Sequence, residues 1–370
     1  MIYFDSAATT LQKPLSVHRA VQCAMQTCAS VGRGGHSAAE AAAKAVYECR
    51  RSAAELFDAQ TEQVAFTMNA THGLNIAVNT LVEDGASVVI SGFEHNAVTR
   101  PLYARNARIT VAGDALFAPQ QALEAFDAAL RQHPSAAVCT HCSNVFGYVL
   151  PIEEIAVLCK QYAVPLIIDA SQSAGALPVR LQKSGAAFIA MPGHKGLYGP
   201  QGTGILLCAD GAKPLLFGGT GSNSADMLMP DFLPDRLEAG THNVSGLAGL
   251  AAGLRYVKKR TCEDIFRHEC RLRKQAQEAL ARIDGVRLFG GESQSGVLSF
   301  VAERAESEEL AMRLAQKSIA VRAGLHCAPL AHKSAGTFDT GTVRVSFSAF
   351  NTAQEVRQFA EICKKLIQRQ

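Results

Sequence analysis

Residues 164–202 read VPLIIDASQSAGALPVRLQKSGAAFIAMPGHKGLYGPQG, and they decide the fold. Two short apolar runs, "VPLIIDA" (164–170) and "AAFIAM" (186–191), each lead into polar chemistry. Asp169 closes the first, and a lone Lys195 among glycines and prolines follows the second. Near-continuous apolar runs of this length read as strands covered on both faces. In a parallel sheet of such strands, functional side chains gather beyond the carboxyl ends. Asp169 and Lys195 are separated by one helix-and-strand unit, so both can reach one cleft. A solvated surface lysine is the plain alternative. An amine held next to buried strand ends is instead lowered in pKa by burial, and such an amine can form a Schiff base with a carbonyl. The flanking glycines would let that carbonyl compound approach the backbone closely.

Working outward, further strands are expected at "QVAFTM" (63–68), "ASVVISG" (86–92), "AAVCTHC" (136–142) and "GILLCA" (204–209). Helix-like segments lie between them. "SAAEAAAKAVYECRRSAAELF" opens with Ser37 and Glu40 in capping-box spacing, and "PIEEIAVLCKQYA" places Pro151 in a first helical turn. The pattern predicts an α/β fold with a mostly parallel sheet and helices on both faces. It changes after about residue 255. A long amphipathic helix, "CEDIFRHECRLRKQAQEALARI", precedes strands "VRLFGG", "GVLSFV", "AVRAG" and "TVRVSFSAF" and two more helices. We therefore expect a large domain over residues 14–255 and a smaller α+β domain over 256–370, with residues 1–13 packing near the latter. Their cleft is a natural place for a site.

Composition narrows the partners. The 370 residues are 48% hydrophobic, enough for a large core, and the net charge is +3. No basic block or basic–aromatic alternation supports nucleic-acid or anionic-membrane binding. The N-terminal "MIYFDSAATT" lacks the features of a signal peptide, and no apolar run approaches the roughly 20 residues of a membrane span. Eleven scattered cysteines suit a reducing, cytoplasmic setting.

Each strand end adds a candidate. Asp169 is either a helix N-cap or a carboxylate that keeps a pyridinium nitrogen protonated. Together with Lys195, the second role suits a pyridoxal phosphate (PLP) enzyme. After "QVAFTM", Asn69-Ala70-Thr71-His72 runs into a helix whose N-terminus is a ready phosphate site, although every helix has such an end. His95, after "ASVVISG", is a polar surface residue or a ring that stacks on a cofactor and moves protons. Asn144 can hydrogen-bond a phenolic oxygen. Cys139 and Cys142 form one C-x-x-C without the second pair a structural zinc wants, so they read as core or strand-end cysteines.

Nine motifs, "YFDSAATT", "FTMNATHGLN", "EHNA", "HCSNVFG", "IIDASQSAG", "GHKGLYGPQG", "EAGTHN", "RAGLHCAP" and "VRVSFSAFNT", occur in one order along nearly the whole chain. In that order they resemble the class V aminotransferase family of fold-type I PLP enzymes, and within it the cysteine desulfurases. The resemblance implies a seven-stranded-type PLP-binding sheet and specific roles. Lys195 would carry the cofactor as a Schiff base and move the substrate α-proton. Asp169 would pair with the pyridine nitrogen, and Gln172 and Asn144 would approach the ring oxygen. His95 would stack on the ring and act in proton transfer. Ala70, Thr71 and His194 would hold the phosphate. Thr241 and the Gly219-Thr220 loop would reach the phosphate of a neighbouring subunit in a homodimer with shared active sites. Arg344, otherwise a surface strand arginine, would clamp the substrate carboxylate with a bidentate fork, in a substrate site shared with Arg322 and Asn144. One departure stands out. Where the family usually has a serine or threonine donating to the phosphate, this chain has Pro192, which offers no donor. Either the phosphate grip is weaker or Thr71 and His194 compensate.

Cys327, in "VRAGLHCAPLAHK", is a small buried hydrophobe in the plain reading. Arg322 and His326 beside it are positive neighbours that favour a reactive thiolate. Cys327, His326 and His332 make only a thin case for a metal, and none is expected. In the resembling family this cysteine attacks the sulfur of bound L-cysteine. L-Alanine forms and the sulfur passes as a persulfide to a protein acceptor. The short segment after Cys327 resembles the desulfurases with a compact cysteine loop, a group that includes selenocysteine lyases. A selenocysteine lyase, another PLP enzyme of the same scaffold, or a non-catalytic sulfur carrier remain as alternatives. A lyase would keep selenide release after Cys327→Ala, and a carrier would stay colourless with added PLP.

Overall fold

The computed structural model describes residues 1–32 and 34–368. Its centre is a seven-stranded sheet. In spatial order the strands are Val64–Thr67, Gly204–Cys208, Phe188–Pro192, Leu166–Asp169, Ala136–Thr140, Ser87–Ser91 and Arg108–Ala112. Gly204–Cys208 runs antiparallel to both of its neighbours, and all other pairs are parallel.

The apolar runs are continuous because successive side chains face two separate helix layers. Leu166 and Ile168 pack on one side with Phe57 and Ile155, from the helices Ser37–Phe57 and Ile152–Gln161. Ile167 points the other way, to a layer with Leu74 and Val98 from Ala70–Leu81 and Asn96–Ala104. The same alternation places Ile189 and Met191 on the first face and Phe188 and Ala190 on the second. Burial of this kind contributes about 25 cal/mol per Å² of apolar surface, so both layers hold the strand ends in place.

Two local expectations need correction. The helix Ser37–Phe57 is capped by His36, whose Nδ1 accepts from the Ala39 N–H, rather than by a Ser37–Glu40 box. The edge strand Arg108–Ala112 was not anticipated. It pairs on one side only, and Arg108, Thr110 and Val111 are exposed, so it carries no buried apolar run.

A second, four-stranded antiparallel sheet has the order Arg322–Gly324, Thr342–Ser346, Val297–Ala302 and Val286–Phe289. The helices Cys262–Leu280, Ser307–Gln316 and Ala353–Gln368 cover it through Leu272, Leu310 and Phe359. The run "AVRAG" is divided. Ile319–Ala320 pairs in parallel with Ile2–Tyr3, and only Arg322–Gly324 joins the four-stranded sheet. The N-terminal segment then crosses to the large sheet, where the Thr10 hydroxyl donates to the His194 carbonyl at 3.0 Å. Position 255 falls inside the unbroken helix Val244–Arg260.

Candidate active site

Lys195 lies three residues beyond the strand Phe188–Pro192, and Asp169 ends the adjacent strand. The glycines around Lys195 serve loop packing. A Cβ on Gly196 would lie 2.4 Å from the Ala174 carbonyl, and one on Gly175, at φ +92°, would lie 2.1 Å from the Gly196 carbonyl. The lysine loop is pressed against the turn after Asp169, which fixes the two side chains relative to one another.

Lys195, Asp169, His95 and Asn144 line one cavity. Ala70, Thr71, Gln172 and His194 complete its wall, so eight of the expected residues converge. Burial pushes the Lys195 amine down to about 8; Asp169 opposes that shift, while Arg344 and Arg322 add to it. Asp169 is 3% exposed, and its Oδ1 accepts the Ser171 N–H at 2.9 Å, in a turn rather than at a helix cap. Burial lowers His95 to about 4, so its ring is neutral near pH 7. His95 Nδ1 accepts the Ala97 N–H at 3.0 Å, which assigns the ring proton to Nε2.

At the opposite wall begins the helix Ala70–Leu81. Asn69 caps it by accepting from the His72 N–H at 2.9 Å. The Ala70 and Thr71 N–H groups belong to the first turn, where no intrahelical acceptor exists. Pro192 faces the same cavity without a donor. His194 Nδ1 meets Thr9 Oγ1 at 3.0 Å, which leaves its Nε2 unused by that contact. Lys13 donates to the His194 carbonyl at 2.8 Å, adding a cation behind this wall.

Arg344 is no surface arginine. It is 1% exposed, donates to Asp5 Oδ1 at 2.6 Å and to the Asn144 carbonyl at 3.0 Å, and its Nε has no partner. Arg322 sits opposite Arg344 in the sheet register, with Nη2 4.0 Å from Cys327 Sγ. Cys327 is exposed, not a buried hydrophobe. Its loop is tied to the cavity at two points: Asn144 Nδ2 donates to the His326 carbonyl at 2.8 Å, and the Asn96 N–H to the Cys327 carbonyl at 2.7 Å. His326 does not supply the expected positive charge. It is buried, and burial drives its pKa well below 6.5, so Arg322 is the cation at the thiol.

Gln172 lines the cavity while its amide donates to the Ala7 carbonyl at 3.0 Å. Thr220 and Thr241 stand outside this wall. Thr220 Oγ1 pairs with Ser222 Oγ at 2.9 Å, Thr241 is exposed, and a Gly240 N–H bond to the Gly219 carbonyl joins their two loops. Cys139 and Cys142 are buried and form no disulfide, and Cys142 also lines the cavity. Among the described residues, no group of three His, Cys, Asp or Glu side chains is arranged to hold a metal.

Sequence reading missed Asp5 and Glu94. Asp5 lies within "YFDSAATT", and its signal is an acid directly after an apolar N-terminal run. Glu94 is fully buried, accepts the Thr140 N–H at 2.7 Å, and is raised to about 8 by burial. A carboxylate beside a strand end was visible, but not its enclosure.

Comparison with known proteins gives one answer. The family described as Aminotransferase class-V matches residues 2–359. A probable cysteine desulfurase of Methanothermobacter thermautotrophicus is 31% identical over 382 aligned residues, spanning 99% of this chain and 94% of that protein. One from Pyrococcus abyssi is 30% identical over 386, spanning 99% and 94%. The apo structure of a cysteine desulfurase from Thermococcus onnurineus superposes with a TM-score of 0.90 at 30% identity, covering 100% of this chain and 95% of that one. With the lysine cavity, the cysteine loop and these relatives in agreement, the chain belongs to the class-V aminotransferase family.

Proposed function

We propose that this chain is a PLP-dependent cysteine desulfurase that converts L-cysteine to L-alanine and carries the sulfur as a persulfide on Cys327. The supporting observation is the junction of two parts. One cavity holds a lysine of lowered pKa, a buried carboxylate and a neutral histidine. An exposed thiol is tied to its rim through Asn144 and Asn96.

The donor set fits PLP. Lys195 would be the amine for its aldehyde, Asp169 would be the carboxylate for its ring nitrogen, and His95 would offer it a flat neutral ring. The free N–H groups of Ala70 and Thr71, the Thr71 hydroxyl and His194 suit its phosphate, and they supply donors where Pro192 offers none. Bound there, PLP supplies an electron sink that acidifies the substrate Cα–H. Lys195 Nζ, at about 8, takes up and returns that proton near neutral pH. Arg344, with Arg322 and Asn144 nearby, would orient the substrate carboxylate; its buried Nε is a donor without a partner. Cys327 Sγ bonds to the substrate sulfur as the carbon–sulfur bond breaks, and the electron pair stays with the substrate carbon. Protonation there yields L-alanine, so L-cysteine and one thiol give L-alanine and one persulfide. An acceptor, proposed to be a protein, takes the terminal sulfur at the exposed loop.

The working unit we propose is a homodimer. Phe217, Met227 and Leu228 are 77%, 98% and 79% exposed on the segment that carries Thr220, an apolar surface suited to a second copy. There Thr220 and Thr241 would reach the partner's phosphate. Eleven unpaired cysteines fit a cytoplasmic setting, and no described helix is long and apolar enough to cross a membrane. Sulfide and alanine release from L-cysteine with a reductant tests the reaction. Equal yields support it, and a protein that binds PLP yet releases neither overturns it.

A further inference from the structure

Behind Cys327 lies a row of buried polar side chains that the reaction above does not use. His326 and His332 are 3% and 0% exposed. Their rings are nearly parallel, 9° apart, with His326 Nδ1 3.4 Å from His332 Nε2. At one end His326 Nε2 lies 3.3 Å from the Arg322 carbonyl. At the other, His332 Nδ1 lies 2.8 Å from Thr337 Oγ1.

The protons in this row are placed by elimination. A carbonyl only accepts, so His326 carries its proton on Nε2 and donates to Arg322. Burial keeps both rings neutral, His326 well below 6.5 and His332 at about 4. A neutral imidazole has one N–H, so His326 Nδ1 accepts from His332 Nε2–H. His332 Nδ1 then accepts from the Thr337 hydroxyl. The hydrogen bonds all run in one direction, from Thr337 to the Arg322 carbonyl.

The row closes the 322–327 turn. It grips Arg322 by its carbonyl, while His326 is the residue bonded to Cys327, and the Arg322 guanidinium ends 4.0 Å from Cys327 Sγ. His326 and Cys327 both adopt left-handed backbone, at φ +51° and +56°. Two such non-glycine residues in succession persist only where their surroundings over-determine them. The row is the buried side of that restraint, and the Asn96 and Asn144 bonds are the other.

We infer that Thr337 and His332 are positioning residues that, through His326, hold Cys327 Sγ beside the Arg322 guanidinium. The inference rests on Cys327 being the reactive thiol of the function proposed above.

The test uses the PLP-loaded protein in five forms: wild type, Thr337→Val, Thr337→Ser, His332→Leu and His332→Gln. Two readouts are taken: kcat and KM on L-cysteine, and the iodoacetamide alkylation rate of Cys327, followed on its own peptide by mass spectrometry. Valine keeps the shape of Thr337 without its hydroxyl. Glutamine can place an amide N–H where His332 Nε2–H stood. We expect kcat to fall about tenfold in Thr337→Val and His332→Leu, less than the roughly hundredfold cost of a full 1 Å misplacement, with KM within about twofold. Alkylation of Cys327 should slow by about threefold or more as the cation departs. Thr337→Ser and His332→Gln should stay near wild type. A Thr337→Val protein with wild-type kcat and alkylation, whether or not it melts earlier, overturns the inference. Should His332→Leu fail to fold, the Thr337 pair decides alone. Alkylation needs no turnover, so a slowed Cys327 in a chain that never releases sulfide supports the row and sinks the proposed function.

Discussion

Lys195 and Cys327 meet opposite demands in the proposed reaction. Lys195 is half-buried in the cavity wall, its amine lowered to about 8 by burial, and its loop is pressed against the Asp169 turn by glycines that tolerate no Cβ. Cys327 is exposed, with its backbone in left-handed geometry and the Arg322 Nη2 at 4.0 Å. In the proposed reaction the first group would gain its reactivity from reduced hydration, and the second would face both a substrate and an outside acceptor. Rigidity therefore comes from different places. The sheet and its two helix layers hold the lysine. The cysteine is held from behind, by carbonyl bonds from Asn96 and Asn144 and by two buried histidines.

That contrast can be broken at either side. The largest effect is expected at the cavity. Lys195→Ala should lower turnover of L-cysteine by about 10³-fold or more and abolish fixation of PLP by borohydride. Turnover within about tenfold of wild type would mean the cavity is not the reacting centre.

Acid should act on both sides together. His95, His194 and His332 are each held near 4 by burial, so the folded protein excludes protons that the unfolded chain accepts near 6.5. Their stabilising contribution is complete above pH 6.5 and is lost as pH falls toward 4, on the order of 3 kcal/mol for a group as buried as His332. Chemical denaturation across pH 7 to 4 checks this. His332→Gln should flatten the acid limb, and an unchanged slope would place the sensitivity elsewhere.

Arg344 spans the two regions through Asp5 and the Asn144 carbonyl. Arg344→Lys keeps the charge but loses the planar fork. It should raise KM for L-cysteine about tenfold, the equivalent of about 1.4 kcal/mol. An unchanged KM would remove Arg344 from the substrate site. The smallest effect is expected at Thr220→Ala, which should weaken PLP affinity by about fivefold, roughly one hydrogen bond. That loss should appear only in dimeric protein, as judged by sedimentation.

The cavity region was the legible one. Strands such as Leu166–Asp169 announce themselves by apolar continuity, and the residues just beyond the strand ends of a parallel sheet are confined to one rim. Lys195, Asp169, His95 and the start of the helix Ala70–Leu81 could be placed together on that logic. The edge strand Arg108–Ala112 could not, because a strand paired on one side needs no apolar run. The surroundings of Cys327 were harder. "LHCAPLAHK" shows two histidines, but their charge depends on burial, which turns an expected cation at His326 into a neutral ring. Asp5, 339 residues from Arg344 in the chain, has no local mark of the ion pair it makes.

The central claim is that chemistry begun in the cavity ends as sulfur on the loop. The most direct measurement is to mix the PLP-loaded protein with L-cysteine without reductant, digest it, and locate the transferred sulfur by mass spectrometry. We predict a persulfide on Cys327, formed with an equal amount of L-alanine, and neither product in Cys327→Ala. Alanine formed at the wild-type rate by Cys327→Ala, or sulfur found on another exposed thiol such as Cys23, would contradict the account.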